Sequence, residues 1–386
     1  IGRAIMDNRT WPKRLFALDV SRGLAALSVV LWHWQHFAYD SAGLSESFRL
    51  EQQPLYAPLR MFYEEGEKGV AYFFILSGFI FFWLYKDAIK SGRVTVSRFW
   101  IQRFSRLYPL HLATLLLVGI LQIIYVAKNG SPWIYPLNDA YHFLLNLFSM
   151  QAWGLSRDWS FNGPTWSVSV EIFLYFVFFL VARVRLGNAA FCLVVSCLAM
   201  VGSVASQGAF ITSATPILQG LSAFFLGGVV FYFTAHITHR LPSLKPVVHA
   251  ATVLAWVLLI VNFYVFDFGI LFGSSDILGK AFPIYILFPA TICSLTLAEI
   301  DSGPGVKKWL SQISWIGDIT YSSYLLHFPM QLICALAVSY GLLQPDFYLS
   351  STALIAFFVV LVPLSHWTFV GFERPAQQWI RYKLKR

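Results

Sequence analysis

Apolar runs of about 20 residues, each long enough to cross the roughly 30 Å hydrocarbon core of a bilayer, recur along the chain. They lie at Leu15 to Ala38, Val70 to Tyr85, Leu107 to Ala127, Pro164 to Ala182 and Ala189 to Ser206. Five more follow at Pro216 to Ala235, Val247 to Phe266, Ala281 to Ala298, Trp315 to Tyr340 and Ser350 to Gly371. The pattern predicts an all-α polytopic membrane bundle of about ten transmembrane helices. Tyr141 to Met150 is apolar but too short to span and reads as an interfacial or re-entrant helix.

Lys and Arg collect on the cytoplasmic side of membrane proteins, so the short loops can be sorted by charge. Arg3, Arg9, Lys13 and Arg14 precede the first span, and Lys86, Lys90, Arg93, Arg98, Arg103 and Arg106 fall between the second and third. Arg183 and Arg185, Arg240 and Lys245, Lys307 and Lys308, then Arg381, Lys383, Lys385 and Arg386 all lie on that same side if the spans number ten. The first loop opposite carries Glu46, Glu51, Glu64, Glu65 and Glu67. Both termini are therefore expected in the cytoplasm. With no repeat or soluble extension evident, residues 1–386 read as a single transmembrane domain.

Composition agrees. Of 386 residues 57% are hydrophobic, 18% aromatic and 12% charged, about half the charged share of a soluble domain. The formal net charge of +9 is topology rather than a nucleic-acid surface, and no nucleic-acid partner is expected. Cys192, Cys197, Cys293 and Cys334 sit in apolar runs without metal-ligand spacing, so neither disulfides nor a metal is expected. Ile1 to Lys13 lacks a cleavable-signal pattern.

Ionisable groups in lipid cost about 2.5–3.5 kcal/mol each near the membrane centre and need a partner or a purpose. In the first span Asp19 and Arg22 are three residues apart and can pair on one helix face, either as an end cap or as part of a site. His33 follows about 8 Å inside the far end of that span. Arg103 and Arg106 open the third span as guanidinium forks suited to phosphate, with an ordinary positive-inside cluster as the alternative. Glu171 lies about 10 Å into the fourth span, a depth close to that of His33, so it can either meet that imidazole in a hydrogen bond or, protonated, satisfy a neighbouring backbone group. In the ninth span Tyr321, Ser322, Tyr324 and His327 present hydroxyls and an imidazole along one helix, as in a cavity lining. Trp166 offers either a membrane anchor or a flat surface for a sugar ring.

Several motifs together resemble the membrane-bound acyltransferase-3 family over essentially the whole chain. They are Leu18-Asp19 with Arg22-Gly23 and the spacing to His33, Phe74 to Phe79, and Arg103-Phe104-Ser105-Arg106. Trp166-Ser167 with Glu171, Tyr321 to His327, and Phe372-Glu373-Arg374-Pro375 complete them. The resemblance implies ten spans, no fused esterase-like domain, and O-acylation, typically of a cell-surface or exported carbohydrate with acetyl from acetyl-CoA. It implies donor binding by Arg22, Arg103 and Arg106. His33 is then base or transient acyl carrier supported by Glu171, with Trp166, Tyr321, Ser322, Tyr324 and His327 lining the acceptor side. Acetyl-CoA or another acyl-CoA is a substrate rather than a resident cofactor, and the location implied is the bacterial cytoplasmic (inner) membrane. A glycan-export component or a separate periplasmic protein is a further expected partner. Two alternatives stay open: acylation of a lipid or small secondary metabolite, and a polytopic transporter or flippase.

Overall fold

A computed structural model describes residues 11–40, 43–206, 210–265 and 281–384. Arg3, Arg9, Lys385, Arg386, most of the segment Ile1 to Lys13, and Phe266 at the end of the seventh expected span lie outside the described residues. The protein is an all-α polytopic bundle. Its helices are α1 (Phe16–Trp32), α2 (Tyr56–Glu65), α3 (Gly69–Leu84), α4 (Val96–Asn129), α5 (Ala140–Leu147), α6 (Trp166–Arg183) and α7 (Ala189–Ala205). Then come α8 (Thr215–Arg240), α9 (Lys245–Tyr264), α10 (Phe288–Asp301), α11 (Pro304–Ile313), α12 (Thr320–Ser339), α13 (Ser351–Thr368) and α14 (Arg374–Lys383).

Among the described residues nine helical stretches are long and apolar enough to cross a membrane, and α7, at 17 residues, stands at the lower limit of spanning length. Together these ten correspond to the ten runs read from the sequence. The apolar segment near Tyr141 forms α5, only 8 residues long. The four cysteines are free thiols. A two-residue antiparallel ribbon, Tyr39–Asp40 with Gly43–Leu44, ends the α1 region.

The scaffold is the α3–α8 pair, whose backbones approach directly because glycines face carbonyls. A Cβ on Gly78 would collide with the Phe224 carbonyl, and one on Gly227 with that of Ile75. In lipid, where apolar surface alone drives no association, close packing at small residues holds helices together. Around this seam α3, α6 and α8 bury Phe79, Phe82, Phe178, Phe224, Phe225 and Phe231. Their rings meet mostly edge to face, as Phe82 and Phe178 do at 5.2 Å, the arrangement favoured by the ring quadrupole.

Helix α4 has 34 residues, about 51 Å, and so exceeds the hydrocarbon thickness by several turns. Thr95 caps it by accepting from the Arg98 N–H at 3.3 Å. Its first turns carry Arg103 and Arg106, which share one cavity lining with Arg381 and the start of α1. At the opposite end of the bundle residues 130–165 fold over the helices. Gln122 exchanges two hydrogen bonds with the Trp133 backbone, and Asp139 caps α5 by accepting from the His142 N–H at 2.8 Å. That backbone bond, reinforced by the His142 ring, holds the Asp139 carboxyl below its ordinary range.

Candidate functional site

A polar cavity of about 490 Å³ opens at the end of the bundle where Lys13, Arg14 and Arg381 gather, so both described ends of the chain border one mouth. Its walls come from α1, α3, α4, α6, α12 and the turn before α14. At the mouth Arg14 bridges Asp19 at 2.5 Å and Asp318 at 3.0 Å. Asp19 and Arg22 form the expected i,i+3 pair at 3.2 Å, and the same Arg22 nitrogen donates to the Gly317 carbonyl at 2.8 Å. Gly317 makes this possible: a Cβ there would strike the Asp19 backbone. The Arg22 Nε is buried and has no hydrogen-bond partner among the described residues.

Deeper in, Arg103 is only 8% exposed. Its guanidinium donates to the Tyr85 hydroxyl at 2.6 Å and packs 4.8 Å from the centre of the Tyr85 ring and 5.1 Å from that of Phe81. Such cation–π contacts contribute about 0.5–2 kcal/mol each and hold the planar group in one orientation. Its Nε also lacks a partner among the described residues. Arg103 is thus no ordinary solvated basic residue of a membrane loop. Arg106 lines the same cavity as Glu171 and Glu373.

Glu373 was not singled out by the sequence as a site residue. It is 3% exposed, lines the cavity and accepts a hydrogen bond from the Ser322 hydroxyl. The five residues Phe369–Glu373 form a π-helical turn. The extra residue of such a turn rotates the side chains beyond it and commonly marks a functional position. Ser322 itself is fully buried and reaches the cavity only through Glu373, so it positions that carboxylate rather than lining the site. The signal that could have revealed Glu373 was an acid at the end of the last apolar run, just before Arg374-Pro375.

Tyr321 and Tyr324 line the cavity. Tyr321 donates to the Leu107 carbonyl at 2.6 Å, and the Tyr324 hydroxyl meets Pro164 O and Ser167 Oγ. Trp166 does not line the cavity; it packs edge-on against Phe74 at 6.3 Å.

The expected His33–Glu171 hydrogen bond is not formed. Glu171 accepts from the Tyr175 hydroxyl one turn along its own helix, within the cavity. His33 sits in a separate imidazole cluster, with its ring centre 4.8 Å from His327 and 4.7 Å from His36. Equal depth in two spans did not mean equal direction: Glu171 turns toward the arginines, His33 toward α12. Tyr324 stands between, with its hydroxyl on Ser167 and its ring 5.7 Å from His327.

Hydrogen bonding fixes the imidazole tautomers. A carbonyl can only accept, so His33 Nδ1–H donates to Val29 O at 2.9 Å and His327 Nδ1–H to Tyr324 O at 2.6 Å. Gln331 donates to His33 O at 2.9 Å, which leaves its own oxygen to accept from His36 Nδ1 at 3.0 Å. In the neutral rings of His33 and His327 the lone pair is therefore on Nε2. The His327 Nε2 is buried without a partner among the described residues. Two such lone pairs side by side suit a group that brings a hydroxyl proton.

A family model described as "Acyltransferase domain", the acyltransferase-3 family, matches residues 15–370. The chain is 34% identical over 119 residues to Acyltransferase MdmB of Streptomyces mycarofaciens, a match covering 29% of this chain and 27% of that protein. The matched stretch thus spans about a quarter of that relative's length. No solved structure matches.

Proposed function

The chain belongs to the acyltransferase-3 family, and from that premise we propose that it is an O-acyltransferase moving an acetyl group from cytoplasmic acetyl-CoA to a hydroxyl of an exported or cell-surface carbohydrate. The observation that carries this reading is the pair of buried guanidinium Nε–H groups, on Arg22 and Arg103, that have no acceptor among the described residues although both side chains line one cavity. Leaving a buried charged donor unsatisfied costs more than about 1–3 kcal/mol, and phosphate oxygens of a CoA would relieve it. The basic mouth then faces the cytoplasm, with both chain termini, in a bacterial cytoplasmic membrane.

In this mechanism Lys13, Arg14 and Arg381 attract the polyanionic donor, while Arg22 and Arg103 fix its phosphates. Arg106, Glu171 and Glu373 line the same cavity, where the two carboxyl groups can accept hydrogen bonds from the amide N–H groups of the pantetheine arm. The thioester extends past Tyr321 and Tyr324 toward the imidazoles. His33 Nε2 takes the proton of the acceptor hydroxyl as its oxygen attacks the thioester carbonyl. The C–S bond breaks, and the proton passes from Nε2 to the departing thiolate, giving ester and free CoA. Acyl transfer through a transient acyl-imidazole on the same nitrogen uses the same geometry in two steps.

The test is acetyl transfer from radiolabelled acetyl-CoA by purified protein in vesicles. Arg103→Ala is expected to raise the donor KM at least about tenfold, and His33→Ala to lower kcat by about 10²–10⁴ with the donor KM little changed. Full activity in both variants would overturn the assignment. A reporter placing Arg381 outside the cytoplasm would remove the cytoplasmic donor even if the chemistry stood.

A further inference from the structure

On the face of α1 turned away from the cavity lies a second, larger recess of about 1160 Å³. Its other walls are α10 and α13, closed at one end by α11 and at the other by α2. The two faces of α1 are complementary. Leu15, Leu18, Asp19 and Arg22 line the polar cavity, whereas Ala17, Val20, Ser21, Leu24, Ala25 and Ser28 line the recess. Small residues on α1 make the recess concave, and Leu24 projects into it 57% exposed. The groove follows α1 from Ala17 to Leu31, about 21 Å, which exceeds one leaflet's share of the hydrocarbon core.

Charge distinguishes its ends. At the end nearer the cavity mouth, α11 carries Val306, Trp309, Leu310 and Ile313 at helical spacing, and the last three line the groove. Lys307 and Lys308 lie on its remaining faces, and Lys308 is solvent-exposed. This is the build of a helix lying in a membrane interface and attracting anionic headgroups. The end under α2 instead carries Glu64, Glu65 and Glu67 with Arg60 and Lys68; Glu65 and Lys68 are ion-paired in the groove wall, and Arg60 pairs with Glu64 at 2.8 Å. An anionic headgroup is favoured at the first end, where Lys307 and Lys308 are in no ion pair among the described residues, over the second, whose cations Arg60 and Lys68 are already paired with carboxylates.

We infer that this groove holds one anionic glycerophospholipid from the leaflet that meets α11, with its tails along α1 and its phosphate at Lys307 and Lys308. The lipid packs against the back of the helix that presents Arg22 and His33 to the reaction. It supports α1 without touching the reacting groups, and the inference does not depend on which acyl group or acceptor the enzyme uses.

The experiment compares the full-length protein, delipidated in detergent, after adding phosphatidylglycerol or phosphatidylcholine. Phosphatidylglycerol is expected to raise the Tm by at least about 3 °C and to appear as one retained lipid per chain in native mass spectrometry. Phosphatidylcholine should do neither. Lys307→Ser with Lys308→Ser should abolish the difference between the two lipids, and Leu24→Trp, which fills the groove at an exposed position, should prevent retention of phosphatidylglycerol. Equal stabilisation by both lipids, or retention undiminished by Leu24→Trp, would overturn the proposal. Because these readouts are lipid occupancy and Tm, the result stands apart from any outcome of the acyl-transfer assay.

Discussion

The cavity and the groove share one helix and differ in nearly every other respect. On one side of α1 six cationic side chains and four carboxylates crowd the lining of a 490 Å³ space, and two guanidinium nitrogens have no partner among the described residues. On the other side the larger space is walled mainly by aliphatic and aromatic groups, and the charged residues in its lining, Glu65 and Lys68, are paired with each other. The contrast teaches where a membrane protein concentrates cost. Burying unpaired charge is unfavourable and persists only where a ligand completes it. An apolar recess is complete once a lipid tail fills it.

The largest effect that can break this comparison comes from moving a change from one face of α1 to the other. Arg22→Ala, on the cavity side, is expected to reduce acyl transfer about a hundredfold, comparable to removing one partner of a buried charged hydrogen bond. Leu24→Ala, two residues along on the groove side, should leave transfer within about twofold. Assay of both in vesicles of one composition checks the pair, and equal losses would erase the functional distinction between the faces.

A smaller change sharpens the cavity itself. Glu373→Gln keeps the shape and the Ser322 contact but removes the charge facing Arg106, and is expected to raise the donor KM about tenfold with kcat less affected. If kcat falls while KM holds, Glu373 acts on the chemical step rather than on donor orientation.

The smallest effect lies outside both faces. The Asp139 carboxyl is held below its ordinary range, so its contribution to capping α5 is present at neutral pH and above. That contribution is lost as pH falls through the lowered folded-state value, beneath the usual carboxylate range near 3.9. Asp139→Ala should cost about 1 kcal/mol of local stability at neutral pH. Hydrogen exchange of α5 amides should show this loss at pH 7, with wild type and variant converging under strong acid.

The spans were legible because hydrophobic runs are a one-dimensional property, and even the 17-residue α7 stood out between Asn188 and Ser206. Asp19 with Arg22 was legible because three residues of helix bring them to one face whatever surrounds them. The His33–Glu171 bond was not, because span depth is one coordinate and a side-chain meeting needs three; rotation of α6 gave Glu171 to Tyr175 instead. Glu373 was hidden for a related reason. Counting at 3.6 residues per turn misplaces a side chain at the end of a π-helical turn. Arg103 was legible as a guanidinium suited to phosphate, with a basic loop as the alternative, but its enclosure was not, since the four aromatic rings around it come from α3, the segment just after it, α4 itself and α6.

The glycine seam between α3 and α8 has a consequence for genetics. At Gly78 the obstructing atom is the carbonyl of Phe224, and at Gly227 it is the carbonyl of Ile75. Every amino acid carries that oxygen. A cavity-side defect such as Glu373→Gln can in principle be suppressed by a second substitution that restores shape or charge. A damaged Gly78 has no such rescuer at position 224, because no codon there removes a main-chain carbonyl. A suppressor screen begun from Gly78→Ala should therefore return reversion or changes that move a whole helix, and never a compensating side chain at the point of contact.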